Sequence, residues 1–186
     1  MSNEPKDIDL LETLDLCAAL KTFITAIDHP TLAGQKLFES VEFYPEKNLS
    51  DALQQLVIAK ERVCLIVPSG DHYTQEKEGR TIRTTIWTSI DLVLADRAYL
   101  QKGQEAVFGG DKNVGVLAMK DLVLAAIGAQ PQLTNLRWCA LYPTGGALIT
   151  LSDADEKKAP GRQAFALSYD TPAGQLITPI TIAWPN

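Results

Sequence analysis

Few side chains in this chain could do chemistry, and their spacing limits what that chemistry would be. There are two histidines, His29 and His72, and three cysteines, Cys17, Cys64 and Cys139. None stands in an HExxH or C-x-x-C spacing, so no zinc site is expected. Asp71 and His72 follow Cys64 closely enough to suggest a Cys–His–Asp arrangement, in which the imidazole would take the thiol proton and leave a nucleophilic thiolate. Against that reading, Cys64 stands in the middle of VCLIV, residues 63–67, a run that reads as a packed strand, while His72 falls in a polar segment. The three cysteines are widely spaced, odd in number and set among apolar residues, so reduced, buried thiols are expected.

The other candidates read as structure. Gly109–Gly110 and Gly145–Gly146 could let a backbone approach a phosphate, but no GxGxxG or GxxxxGK[ST] pattern accompanies them, and turns explain them better. The acidic run DADE, residues 153–156, lacks the ligand spacing and terminal Glu of a calcium loop. Glu76 and Glu78 stand among basic neighbours, where nothing splits their pKa values as acid–base work requires. No catalytic residue, metal ligand or cofactor-binding residue is therefore assigned.

Composition narrows the partners. The chain of 186 residues is 46% hydrophobic, enough for one domain with its own core, and a single domain over residues 1–186 is expected. A formal charge of −6 argues against non-specific binding to nucleic acid or an anionic membrane, since both require clustered Lys and Arg. No apolar run reaches the roughly 20 residues of a membrane helix, and MSNEPKDIDL does not read as a signal peptide, so a soluble, cytoplasmic protein is expected.

Periodicity supplies the elements. Asp9 can cap a first helix with Glu12 at its third position; Leu16, Leu20, Phe23, Ile24 and Ile27 form its apolar stripe, and Pro30 stops it. KLFESVEFY, residues 36–44, reads as a strand, and Asn48 as the cap of a short second helix ending near Arg62. VCLIV reads as a central strand covered on both faces, after which PSGD opens a polar connection through HYTQEKEG. A third helix over residues 114–126 is apolar nearly all round and should stop at Gly128 and Pro131. LRWCALYP and GALITLS, residues 136–143 and 146–152, should flank a turn; Phe165, Leu167 and Tyr169 alternate before a second turn at DTPAG. The order predicts an α+β fold: a mostly antiparallel sheet with one long protruding strand or hairpin, packed against two or three helices.

That long strand is the most informative segment. From Thr81 to Ala95 the even positions Ile82, Thr84, Ile86, Thr88, Ile90, Leu92 and Leu94 alternate with Arg83, Thr85, Trp87, Ser89 and Asp91. At about 3.3 Å per residue it would run about 50 Å, against a radius of gyration of about 16 Å for a domain of this size. Part of it must bend or protrude, and a protruding end is best completed by another subunit. Arg83, Thr85, Trp87 and Ser89 on its polar face, with Val107 and Phe108 from a nearby loop, are the candidate interface residues. Two readings of Trp87 stand: an interface anchor, or a side chain covered by the third helix.

In order and pattern, the leading helix, the LFESVEFY strand, a short helix before RVCLIVPS, the TIRTTIWTSIDLVL strand, the buried helix and the closing strands resemble tail-terminator (tail-completion) proteins of long-tailed bacteriophages and prophages. The resemblance spans nearly the whole chain and has no short diagnostic motif. It implies a non-enzymatic homo-oligomer, a hexameric ring on the tail tube that ends tube polymerisation and offers head-completion proteins a surface. It also implies no cofactor, assembly in the host cytoplasm, and residence in the virion tail. The subunit-bridging hairpin of that family would fall on residues 63–97. VFGG at 107–110 and DADEKKAPGR at 153–162 have no counterpart in the pattern. The alternatives are another phage or prophage assembly or adaptor protein, and a small hydrolase using Cys64 and His72.

Overall fold

A computed structural model describes residues 13–43, 62–97, 107–110, 114–129, 140–149 and 162–180. Along the chain these form helix α1 (Thr13–Thr25), strands β1 (Ser40–Phe43), β2 (Val63–Glu78) and β3 (Thr81–Arg97), helix α2 (Val116–Ala129), and strands β4 (Tyr142–Ile149) and β5 (Arg162–Pro179). The strands make one five-stranded mixed sheet in the order β1-β2-β3-β5-β4, and the fold is α+β. Only β1 and β2 run parallel among these neighbours; the other pairings are antiparallel.

The sheet has two parts. In the body, the even-numbered side chains Ile90, Leu92 and Leu94 of β3 join Cys64 and Ile66 of β2 and Phe165, Leu167 and Tyr169 of β5 on one face. Both helices cover this face: Leu16, Leu20 and Ile24 of α1, and Val116, Met119, Val123 and Ile127 of α2, complete its core. Each helix presents one stripe at turn-by-turn spacing, as the sequence predicts for α1. On the opposite face Leu65, Val93, Ala95 and Ala164 form a smaller buried cluster. The VCLIV segment is thus covered on both faces, as its unbroken apolar run requires.

Beyond this body β2, β3 and β5 continue together as a three-stranded arm. β3 pairs with β2 from Ala95 to Thr81 and with β5 along its whole length, while β1 reaches only Ile66 and β4 only Asp170. Every residue from Pro68 to Arg80 is exposed, as are Gln175 to Pro179. Gly79, at φ +59°, makes the tight turn between β2 and β3 at the tip, a backbone conformation that costs a side chain but not glycine.

Three expected breaks are absent. PSGD and HYTQEKE are not a connection but the distal part of β2, and only the following Gly79 turns; PTGG lies inside β4, and DTPAG inside β5. Each contains a Pro-x-Gly triplet, and at each the register shifts by one residue: between Pro68 and Gly70, Pro143 and Gly145, and Pro172 and Gly174. A bulge admits an extra residue and tolerates a proline that cannot join the ladder, so triplets that read locally as turns become bends. Pro68, Ile90, Tyr169 and Pro143 form one row across the sheet, where the body ends and the arm begins. Gly146 leaves room for Phe165, whose ring carbon would lie 2.7 Å from an added Cβ.

Other boundaries move as well. α2 continues through Gly128 to Ala129, because a glycine in open space at a helix end weakens the helix without breaking it. The strand expected over 36–44 shrinks to Ser40–Phe43, since Leu37 and Phe38 are both buried, which strict alternation cannot achieve. Leu20 and Ile90 share the main core, with Phe23, Leu117 and Leu124 packed against it. Leu65 belongs to the opposite face, and Ile86 is only half-buried on the arm. Cys17 and Cys64 are buried free thiols. Cys139, the helix begun by Asn48, the Asp9 cap, residues 136–139 and the charged segment 153–161 lie outside the described residues.

Two outcomes follow for stability. Leu92→Ala, in the fully buried body, should cost roughly 2–5 kcal/mol. Ile86→Ala on the half-covered arm should cost clearly less, and chemical denaturation compares the two. The Tyr169 hydroxyl is buried without a hydrogen-bond partner among the described residues, and burial pushes its phenol up to about 12. An unfolded tyrosine ionises near pH ~10. The raised folded value therefore leaves this contribution intact below that pH and removes it as pH rises through ~12. Tyr169→Phe should be at least as stable as the native chain at neutral pH, having lost an orphan hydroxyl, and should lack this alkaline loss in denaturation curves taken across pH.

Candidate functional site

The odd-numbered side chains of β3 form a column on the arm face opposite the helices: Arg83, Thr85, Trp87 and Ser89, running from tip to base. Strand pairing sets their neighbours. Glu76, Thr74 and His72 of β2 stand beside Arg83, Thr85 and Trp87, and Ile177, Gln175, Pro172 and Asp170 of β5 line the other side. Since α1 and α2 pack on the other face, Trp87 is not covered by the third helix of the sequence reading, here α2.

Trp87 anchors the base of this column. Its Nε1 donates to Thr74 Oγ1 at 3.0 Å, its ring lies parallel to His72 at 6.1 Å between centroids, and Tyr142 of β4 meets it edge-on at 5.9 Å. Such offset and edge-to-face arrangements match the ring quadrupoles. Toward the tip Arg83 Nη2 donates to Glu78 Oε2 at 2.9 Å; both side chains remain partly exposed, so the pair orients the guanidinium more than it stabilises the fold.

Below Trp87, Ser89, His72 and Asp170 come together. Ser89 Oγ donates to Asp170 Oδ1 at 2.7 Å and lies 3.5 Å from His72 Nδ1, while His72 Nε2 is 3.7 Å from Asp170 Oδ2. The residue types are those of a nucleophilic triad, but the connectivity differs. In a triad the imidazole stands between hydroxyl and carboxylate and takes the hydroxyl proton. Here that proton is directed at Asp170, and the imidazole lies beside both partners. Ser168 donates to Asp91 in the same way one row further in. The arrangement orders a polar and aromatic surface.

The Cys64–His72 pairing does not form: Cys64 faces the helices in the body, where burial pushes its thiol well above its usual value, and His72 faces the other way on the arm. Asp71 instead accepts from Thr88 on the helix side. His29 Nδ1 accepts the Thr31 and Leu32 backbone N–H groups at 3.2 and 3.1 Å, a local turn contact, and burial holds its pKa down. Among the described residues no three His, Cys, Asp or Glu side chains converge with metal-binding geometry.

Val107 and Phe108 are not part of this surface. Gly115, at φ +81°, packs against the backbone of Phe108 and Gly109, and its N–H donates to Asp96 Oδ2 at 2.7 Å, near the end of β3 away from the tip. Nine residues of strand separate Asp96 from Trp87, about 30 Å. The expected interface set therefore divides, with Arg83, Thr85, Trp87 and Ser89 on the arm and the exposed Phe108 at the far end of the body.

Sequence reading placed His72 with Cys64 and not with Trp87, and missed Thr74, Tyr142 and Asp170. His72 and Thr74 were accessible through Gly79, since a tight turn there places His72 opposite Trp87. Tyr142 and Asp170 arrive through β4 and β5, far along the chain, and no local signal marks them. No protein-family model matches the chain, and comparison with curated proteins finds no significant relative. No helix among the described residues is long and apolar enough to cross a membrane.

The direction of the Ser89 proton has a chemical consequence. A fluorophosphonate probe, which captures activated serines, should leave Ser89 unlabelled in the folded protein; stoichiometric labelling by mass spectrometry would show that His72 activates it after all.

Proposed function

We propose that this chain is a non-enzymatic structural subunit that closes into a ring through its arm, in the manner of the phage tail-terminator proteins it resembles. The observation that carries this reading is the arm itself: three paired strands that continue past the helices, with large apolar side chains Tyr73, Leu176 and Ile177 exposed. A monomer gains nothing from holding such surface in water, whereas a subunit that buries it against a neighbour gains the hydrophobic contribution of each side chain. Trp87, flanked by His72 and Tyr142, has the character of an interface anchor, and Arg83 presents directional donors on the same face towards the tip. In this reading the ring has about six copies, as the resemblance implies, and caps a tail tube built of another protein. It assembles in the host cytoplasm and passes into the virion, where its other surface receives head-completion proteins. One heterologous contact repeated about a rotation axis is enough to close it.

The test uses Trp87→Ala combined with Arg83→Glu. The native protein should have a solution mass near six subunits by light scattering, and the double variant should shift to single subunits with an unchanged circular dichroism spectrum, since Ile90, Leu92 and Leu94 are untouched. A native protein that stays monomeric at high concentration, or a variant that unfolds without dissociating, overturns the reading; a stable dimer would favour an adaptor.

A further inference from the structure

Among the described residues the arm has two unpaired edges of different character. β5 between Pro172 and Pro179 reads AGQLIT, with no charge, and neither proline nor β-bulge protects the stretch from Gly174 to Thr178. Distal β2, on the other side of the arm, is uninterrupted from Gly70 to Glu78 and carries Asp71, Glu76, Lys77 and Glu78. Soluble proteins normally guard a strand edge with charge, as β2 does; an uncharged, apolar, exposed edge is a template for another strand.

The ladder identifies which backbone groups are available. Ile180 N–H donates to Arg80 C=O at 2.7 Å. Antiparallel pairing alternates, so Thr178, Leu176 and Gly174 direct their groups at β3, and Ile177 and Gln175 direct theirs outward. By the same alternation Arg83 and Thr85 engage Glu76 and Thr74 of β2, and Lys77, Gln75 and Tyr73 present their amides to the outside.

We infer that the outward edge of β5 at Gln175 and Ile177 pairs with the distal β2 edge of a second copy of this chain, so that neighbouring arms join into one sheet. This inference rests on the ring reading and names the contact that closes it. Each arm carries both halves of the junction, as a heterologous ring contact requires. A charged edge meeting an uncharged one brings no like charges together, whereas two β2 edges would set acidic side chains against each other. The outer edge of β4 fits less well, because Pro143, the bulge at Thr144 and two glycines interrupt it. Strand addition would also cover Ile177, 64% exposed, on one face and Leu176 on the other.

The test is proline placed where only the outer edge notices it. Ile177→Pro and Gln75→Pro each remove an outward N–H and leave the internal ladder intact, so each variant should keep the native circular dichroism spectrum and fall to the mass of one subunit. Mixed in equal amounts, they should form dimers, because the intact β5 edge of one meets the intact β2 edge of the other. If Ile177→Pro unfolds, Ile177→Lys repeats the test with a charge on the uncharged edge; if Gln75→Pro unfolds, Tyr73→Pro repeats it by removing another outward N–H. A native monomer overturns the ring and this junction together. A ring that survives Ile177→Pro but dissociates with Trp87→Ala and Arg83→Glu overturns the junction alone. A Gln75→Pro protein that keeps the native mass while Ile177→Pro loses it shows that β5 meets a different edge, and overturns the pairing inferred here.

Discussion

The continuous backbone ladder of β3 is the constraint on which the rest of this fold depends. Its 17 residues are paired on both sides for nearly their full length, to β2 on one edge and β5 on the other. A central strand cannot stop while its neighbours continue without leaving buried amides unpaired, so the three strands must extend together. The helices cover only the half that carries Ile90, Leu92 and Leu94. Where their apolar stripes end, the sheet goes on without them, and the arm is that continuation.

The three Pro-x-Gly triplets show how such a ladder accommodates residues that oppose it. Proline lacks the N–H a strand interior requires, and a following glycine ordinarily signals a turn. In β2, β4 and β5 each triplet instead yields one extra residue and a bend. Two of these bulges fall beside the row through Ile90 and Tyr169, so the change in strand direction coincides with the loss of helix cover. Gly70 at φ +141° occupies a backbone region that other residues rarely adopt, which ties the first bulge to its glycine.

The same ladder accounts for the chemistry of the arm face. Ser89, His72 and Asp170 stand together because adjacent strands place them in register, and the hydroxyl finds the carboxylate before the imidazole. Strand register also separates Cys64 from His72 by turning them to opposite faces, and it gives Trp87 two aromatic neighbours from two strands. Phe108 is held elsewhere by the close backbone contact of Gly109 with Gly115.

Sequence periodicity by itself determined the α+β class, the apolar stripe of α1, the doubly buried VCLIV segment, and the alternation that sorts β3 into two faces, because each depends on side chains within a few residues of one another. Arg83, Thr85, Trp87 and Ser89 were legible as a set for that reason: they share one strand and one parity. The continuity of β2, β4 and β5 through Pro68, Pro143 and Pro172 was decided only by tertiary structure, since the energy that overrides a local turn preference comes from pairing with strands distant in the chain. Leu65 and Ile90 look alike in a hydropathy pattern and pack on opposite faces, because register places them there. Tyr142 and Asp170 reached Trp87 and His72 by the same non-local pairing, which no spacing within their own segments encodes.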